Sequence, residues 1–294
     1  MKQQTQTRKY FGREAEKWNE KSKQNQYNKI ADRNECVLDT YRQHGNVVNF
    51  LDVGCGTGQL TIELASHGIN AVGIDFAPEM IDVCQKNSKD ASSSAVFTCA
   101  SVFDYSIPDN SLDLVSAQGF IEYISQTELT KFIEILGRVL KKNGCAVVGS
   151  RNRLFNIASM NEYTQLEIKM GTAPQLLTEA VATQLSPSQQ SLFETLNRFD
   201  FDLGQPISHP NTGIEVSTRY QYTPSELVRK FRKVCLSPSQ IYPINFHSIP
   251  MSLLDKNEFA LIKDQLSSVV ASDYPTTHQF VPFSSSFVIV FTKY

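Results

Sequence analysis

Between Asn46 and Ser150, short runs of β-branched and apolar residues alternate with stretches whose apolar positions recur every three or four residues. Parallel sheets assembled from strand-helix-strand units leave this signature. It predicts strands at about 47–53, 70–75, 95–99, 112–117 and 145–150, with helices at about 58–67, 78–89 and 127–142. The last of these helices announces its start with Ser125 and Glu128, a capping box. Leu129, Phe132, Ile133, Leu136 and Leu140 fall on one face, and Gly144 follows the end. A second start, Thr223-Pro224-Ser225-Glu226, opens a helix through Leu227 and Phe231, before strands expected at about 241–246 and 286–292.

The rhythm breaks between Asn152 and Tyr222, where Gln, Ser and Thr dominate and prolines fall at 174, 187, 206 and 210. This stretch reads as an insertion. It leaves from the carboxyl end of the fifth strand, where open α/β sheets bind ligands, so it is expected to cover a substrate as a lid; a decorative or oligomer-forming insertion is the alternative.

Composition narrows the classes of partner. A net charge of −2 over 294 residues gives no field that would gather a polyanion, so no nucleic-acid partner is expected. No run approaches the roughly 20 apolar residues of a membrane span, and no membrane insertion is expected. The six cysteines lie apart without a Cys-x-x-Cys pair, which argues against a metal site and a disulfide framework and favours a reducing, cytoplasmic setting.

Candidate chemistry concentrates in Asn49-Phe50-Leu51-Asp52-Val53-Gly54-Cys55-Gly56-Thr57-Gly58, an apolar strand running straight into a glycine-rich turn and then a helix. Glycines at 54, 56 and 58 allow a tight turn and close approach of the backbone to a ligand. The dinucleotide fingerprint wants its third glycine at position 59, which is Gln59, so a pyrophosphate fits less well than a smaller ligand. The next strand delivers Asp75 at its tip, where a carboxylate can accept from ribose hydroxyls or cap the helix that follows.

These motifs, with Gly-Ile-Asp-Phe-Ala-Pro-Glu-Met over 73–80 and Ile-Pro-Asp-Asn-Ser-Leu-Asp-Leu-Val over 107–115, make the segment 49–150 resemble the class I S-adenosylmethionine-dependent methyltransferases. The likeness is to their small-molecule, ubiquinone-biosynthesis-like branch. It implies an α/β fold: a Rossmann-like, seven-stranded, mostly parallel sheet with the last strand antiparallel, flanked by helices and carrying a largely helical insertion after strand five. The corresponding division is a lead-in over 1–45, a core over 46–152 and 223–294, and the insertion over 153–222.

The resemblance also implies S-adenosylmethionine as cofactor, S-adenosylhomocysteine as product, and direct displacement onto a small-molecule acceptor, with oxygen favoured over nitrogen or carbon. Gly54, Cys55, Gly56 and Gly58 would receive the amino acid part above Asp52, and Asp75 the ribose. Phe76 and Met80 would flank the adenine. Where family members place an acid near the adenine amine, this chain has Ser101, beside Val102, and so departs from the pattern. Gln118 would meet the methionine part, while Tyr10, Trp18 and Tyr27 form an aromatic lead-in that closes over the cofactor.

Toward the acceptor, Tyr123, Arg151 and Arg153 are expected as contacts. The guanidinium pair suits a carboxylate or phosphate, unless it is spent on insertion carboxylates such as Glu162 or Glu167. His209 and Glu122 are the candidate bases, with His247 behind them. A monomer or homodimer is expected. The rival readings are a catalytically silent S-adenosylmethionine-binding regulator and an NAD-dependent oxidoreductase.

Overall fold

A computed structural model describes residues 2–23, 29–206, 209, 210, 216, 219–247 and 277–294. The amino-terminal part is helical: α1 (Lys2–Arg13), α2 (Ala15–Ser22) and α3 (Lys29–His44). The alternating region follows as β1 (Asn49–Val53), α4 (Gln59–Ser66), β2 (Asn70–Asp75), α5 (Pro78–Asp90), β3 (Val96–Cys99), β4 (Leu112–Gln118), α6 (Gln126–Val139) and β5 (Leu140–Arg151). After the insertion come α11 (Pro224–Arg232), β6 (Leu236–Phe246) and β7 (Ser284–Lys293).

The seven strands form one sheet in the order β3-β2-β1-β4-β5-β7-β6. Neighbours from β3 to β5 run parallel, and β7 is antiparallel to both β5 and β6. The side-chain period of two divides the core. Leu51, Val53, Phe287, Ile289 and Phe291 join the α6 and α11 side, while Phe50, Val288 and Val290 join Val37 of α3 and Leu60 and Leu64 of α4. Burial on both faces explains why these strands read as nearly continuous apolar runs.

Strand order reverses between β1 and β4, and the carboxyl ends of these two strands and of β2 converge at that point.

The expected helix start at Ser125 is present as a full capping box, and Thr223 accepts from the Glu226 N–H at the start of α11. Two boundaries differ from expectation. Helix α6 stops at Val139, and the β5 pairing begins at Leu140, then jumps from Leu112↔Leu140 to Leu114↔Cys145; Asn143 at φ +64° takes up the slack. Strand β6 begins at Leu236 rather than near 241. Its Pro238 and Pro243 are tolerated because β6 is an edge strand, with a register shift after Pro238.

The insertion holds α7 (Phe155–Ala158), α8 (Glu162–Met170), α9 (Ala173–Leu185) and α10 (Gln189–Leu196). Its two ends meet in an isolated bridge between Asn152 and Tyr222. α10 sinks Leu192, Phe193 and Leu196 into the main core. Glu179 of α9, fully buried, accepts from the backbone N–H and hydroxyl of Ser225 at the start of α11.

Candidate active site

The carboxyl ends of β1, β2 and β4 open into a cavity of about 690 Å³ that runs from the glycine turn to the insertion. Gly54, Gly56 and Gly58 have φ values of +70°, +55° and +85°, the left-handed region that disfavours a Cβ. At Gly58 a Cβ would also lie 2.8 Å from Phe97 Cζ. Gly54 and Gly56 line the cavity, but Gly58, expected as a contact, does not: its φ and its close fit against Phe97 and Cys84 make it a residue of the turn alone.

Asp75 ties this turn to the next strand. One carboxylate oxygen accepts from the Gly56 N–H at 3.2 Å and the other from the Ala77 N–H at 2.9 Å. Burial pushes its carboxyl up to about 6, against the pull of those N–H groups. Asp52, beneath the turn, accepts from the Thr61 hydroxyl at 3.1 Å, and burial pushes it up to about 7. Both aspartates line the cavity, as do Cys55, Phe76, Met80, Ser101, Val102 and Gln118.

Ser101 is used locally: its hydroxyl accepts from the Phe103 N–H at 3.4 Å. Gln118 donates to the Val147 carbonyl at 2.9 Å, and its buried Oε1 has no partner among the described residues. The absence of a Cβ at Gly149 leaves room for that amide.

The lead-in closes one side. Phe11 and Trp18 line the cavity and pack with Ala15 against Met80 and Val83. Asn19 fixes them in place by accepting from Gln59 at 3.3 Å and Asn87 at 2.9 Å. Tyr10 is a correction: it stacks edge-on against Phe11, with Arg13 over its ring, and does not line the cavity. On a helix, successive residues point in different directions, so Phe11 faces the site where Tyr10 does not. Tyr27 lies outside the described residues.

At the other end, Glu122 is 2% exposed in a short 3-10 turn after β4. One of its oxygens accepts from Arg33 Nη2 at 3.2 Å and the other from Arg151 Nε at 2.9 Å. With both oxygens committed to ion pairs, Glu122 organises two guanidinium groups rather than standing ready as a base. Tyr123 lines the cavity edge-on to Phe11, and burial raises its phenol well above the usual range.

Arg151 lines the cavity; Arg153 does not, a further correction. Arg153 is 1% exposed and forks onto Glu167, with Nε and Nη2 at 3.0 and 2.9 Å, so it holds the insertion together from inside. His209 is corrected as well. Its ring nitrogens are buried with no partner among the described residues and the ring stays out of the cavity lining, where its neighbour Pro210 appears. Burial, with Arg151 and Arg153 nearby, lowers its pKa.

The histidine brought to the cavity is His247, stacked on Phe155 at 4.8 Å with Nε2 2.6 Å from Asn245 Nδ2. Thr7, Arg33, Tyr163 and Arg219 also line the cavity and were not among the expected contacts. They come from α1, α3, α8 and the insertion's return, and no local motif marks them.

Among the described residues no cluster of His, Cys, Asp and Glu has the makings of a metal site. No helix among them is long and apolar enough to cross a membrane. The six cysteines are free, though Cys55 and Cys84 bring their sulfurs to 4.0 Å beside the turn.

A sheet of this order with a glycine turn and an acid at adjacent strand tips is the class I, Rossmann-like methyltransferase architecture. Residues 50–144 match a methyltransferase domain family. The chain is 29% identical over 106 residues to the ubiquinone biosynthesis O-methyltransferase of Azorhizobium caulinodans, covering 36% of this chain and 41% of that protein. Against the protein of the same description from Chromobacterium violaceum it is 25% identical over 146 residues, covering 49% and 61%. The matches thus span about half the length of these curated relatives.

In fold, the chain is similar to the magnesium protoporphyrin IX methyltransferase of Synechocystis PCC 6803 with bound S-adenosylhomocysteine. The TM-score is 0.58 at 13% identity, covering 99% of this chain and 100% of the other. The chain carries a class I, S-adenosylmethionine-dependent methyltransferase domain.

Proposed function

We propose that this protein transfers a methyl group from S-adenosylmethionine to an oxygen of a small-molecule acceptor. The observation that carries the reading is one continuous cavity with the glycine turn, Asp52 and Asp75 at one end and Glu122, Arg151 and His247 at the other. The residues fit the cofactor: a turn free of Cβ atoms approaches its amino acid part, Asp75 can accept from the ribose, and the unpartnered Gln118 Oε1 offers an acceptor to the ammonium. Phe76 and Met80 flank the adenine. When bound, the cofactor supplies an electrophilic methyl group on a positively charged sulfur.

The chain's own residues then align the acceptor and exclude water. The insertion acts as lid, contributing Phe155 and Tyr163 to the cavity wall. Tyr123 and Arg151 contact the acceptor. Oxygen as the target is supported by the matched relatives, which are O-methyltransferases. No metal is required for this chemistry.

The test is thermal unfolding with S-adenosylhomocysteine and, separately, with NAD, each at about 100 times the dissociation constant, where binding adds about 2.7 kcal/mol. A shift with S-adenosylhomocysteine alone is expected. A shift with NAD alone would favour an oxidoreductase, and binding without turnover of any acceptor would favour a silent regulator.

A further inference from the structure

Among the described residues, the acceptor end of the cavity carries an unbalanced charge. Arg33, Glu122 and Arg151 form a chain of ion pairs in which two guanidinium groups share one carboxylate, leaving one positive charge over. Side-chain exposure is 14% for Arg33, 3% for Glu122 and 26% for Arg151, so this charge sits largely out of water. The only other carboxylate there among the described residues is Glu162, which is exposed. A buried surplus charge is costly unless a partner neutralises it.

The donors left over are grouped. Arg151 reaches Glu122 through Nε alone, and neither Nη1 nor Nη2 has a hydrogen-bond partner among the described residues. Tyr163, on α8, lines the same end, and its hydroxyl is buried without a partner among the described residues. Burial raises that phenol above its ordinary value while Arg151 pulls it back, so the group stays a donor within electrostatic reach of the guanidinium. A planar fork and an adjacent O–H are what a carboxylate or phosphate oxygen set requires.

We propose that the methyl acceptor is an anion whose carboxylate or phosphate group docks on Nη1 and Nη2 of Arg151, with the Tyr163 hydroxyl as a further donor. The proposal rests on the reading of this end as the acceptor chamber. Arg33 and Glu122 hold Arg151 in place, and Arg153, behind the wall, takes no part.

The experiment is thermal unfolding of the full chain in low-salt buffer with benzoate, phenyl phosphate or neutral benzamide at equal millimolar concentrations, with and without saturating S-adenosylhomocysteine. At least one anion raises Tm and benzamide does not; which anion does so separates carboxylate from phosphate. Arg151→Gln loses the anion shift, and Tyr163→Phe reduces it. Arg151→Lys keeps the charge opposite Glu122 but not the fork, and weakens anion affinity about tenfold. All three variants retain the S-adenosylhomocysteine shift.

No shift with either anion, an equal shift with benzamide, or an undiminished anion shift in both Arg151 variants overturns the proposal. Loss of the S-adenosylhomocysteine shift in the unmodified protein refutes the cofactor reading instead, and the arms without it still report on the anion.

Discussion

The glycine-turn end of the cavity comes from the tips of neighbouring strands, at 52–57, 74–76 and 118–119, whereas the arginine end draws Arg33, Arg151, Tyr163, Arg219 and His247 from α3, β5, the insertion and the end of β6. The first is made by backbone: positive φ at three glycines, N–H groups turned onto Asp75, and a Cβ-free approach. The second is made by long side chains whose positions depend on one another through Glu122. A site of the first kind breaks when its geometry is altered; one of the second kind breaks when its charge balance is.

Substitutions separate the two ends. The largest effect is expected for Gly58→Val, which places a β-branched side chain at φ +85° and against Phe97 and Cys84. Strain and overpacking together cost about 4 kcal/mol, read by urea unfolding, with loss of S-adenosylhomocysteine binding. Glu122→Ala leaves two guanidinium groups facing each other and costs about 3 kcal/mol, while the affinity for S-adenosylhomocysteine measured by calorimetry stays within about twofold. A comparable loss of cofactor affinity would mean that the two ends are one coupled unit.

Stability against pH probes the contact that docks the insertion. Burial pushes Glu179 up to about 7 from 4.5. Its folded-state value is raised, so the stability it contributes is fully present below about pH 4.5 and fades as pH rises through about 7. Comparing wild type with Glu179→Gln by urea unfolding at pH 5 and pH 8, the variant gains on the wild type by up to about 3 kcal/mol at the higher pH. A gap that does not change with pH refutes the titration of this group.

Asp75→Ala weakens S-adenosylhomocysteine binding by about 2 kcal/mol, or about thirtyfold, in calorimetry. Unchanged affinity would remove Asp75 from the ribose. The smallest effect is expected at His209: with both nitrogens shut off from the cavity, His209→Gln alters turnover by no more than about twofold. A large loss there would restore it as the base.

The same contrast decides what could be read in the sequence. Strand-helix alternation, the Ser125 and Thr223 caps and the glycine turn are local patterns, so the sheet, its order-reversing cleft and the lining by Asp52, Asp75, Met80 and Gln118 were legible. Arg151 and Arg153 are two apart on one strand end, and sequence alone offers no way to tell which faces the cavity and which forks onto Glu167. His209 stood out in a proline-flanked loop, whereas His247 gains its place from stacking on Phe155, some ninety residues earlier. Arg33 reaches Glu122 and Ser286 across the whole chain, a pairing that no spacing rule anticipates.

Strand β7 pairs with β5 on one side and β6 on the other, and it is the last strand in chain order. While the sheet assembles, β5 therefore holds an open edge until a partner more than a hundred residues later arrives. That edge, apolar on both faces over Ala146–Val148, is a template for pairing with another chain. Sheet completion is consequently a high-contact-order step, and slow folding or aggregation of this protein should be governed by how fast 284–293 threads between its two neighbours.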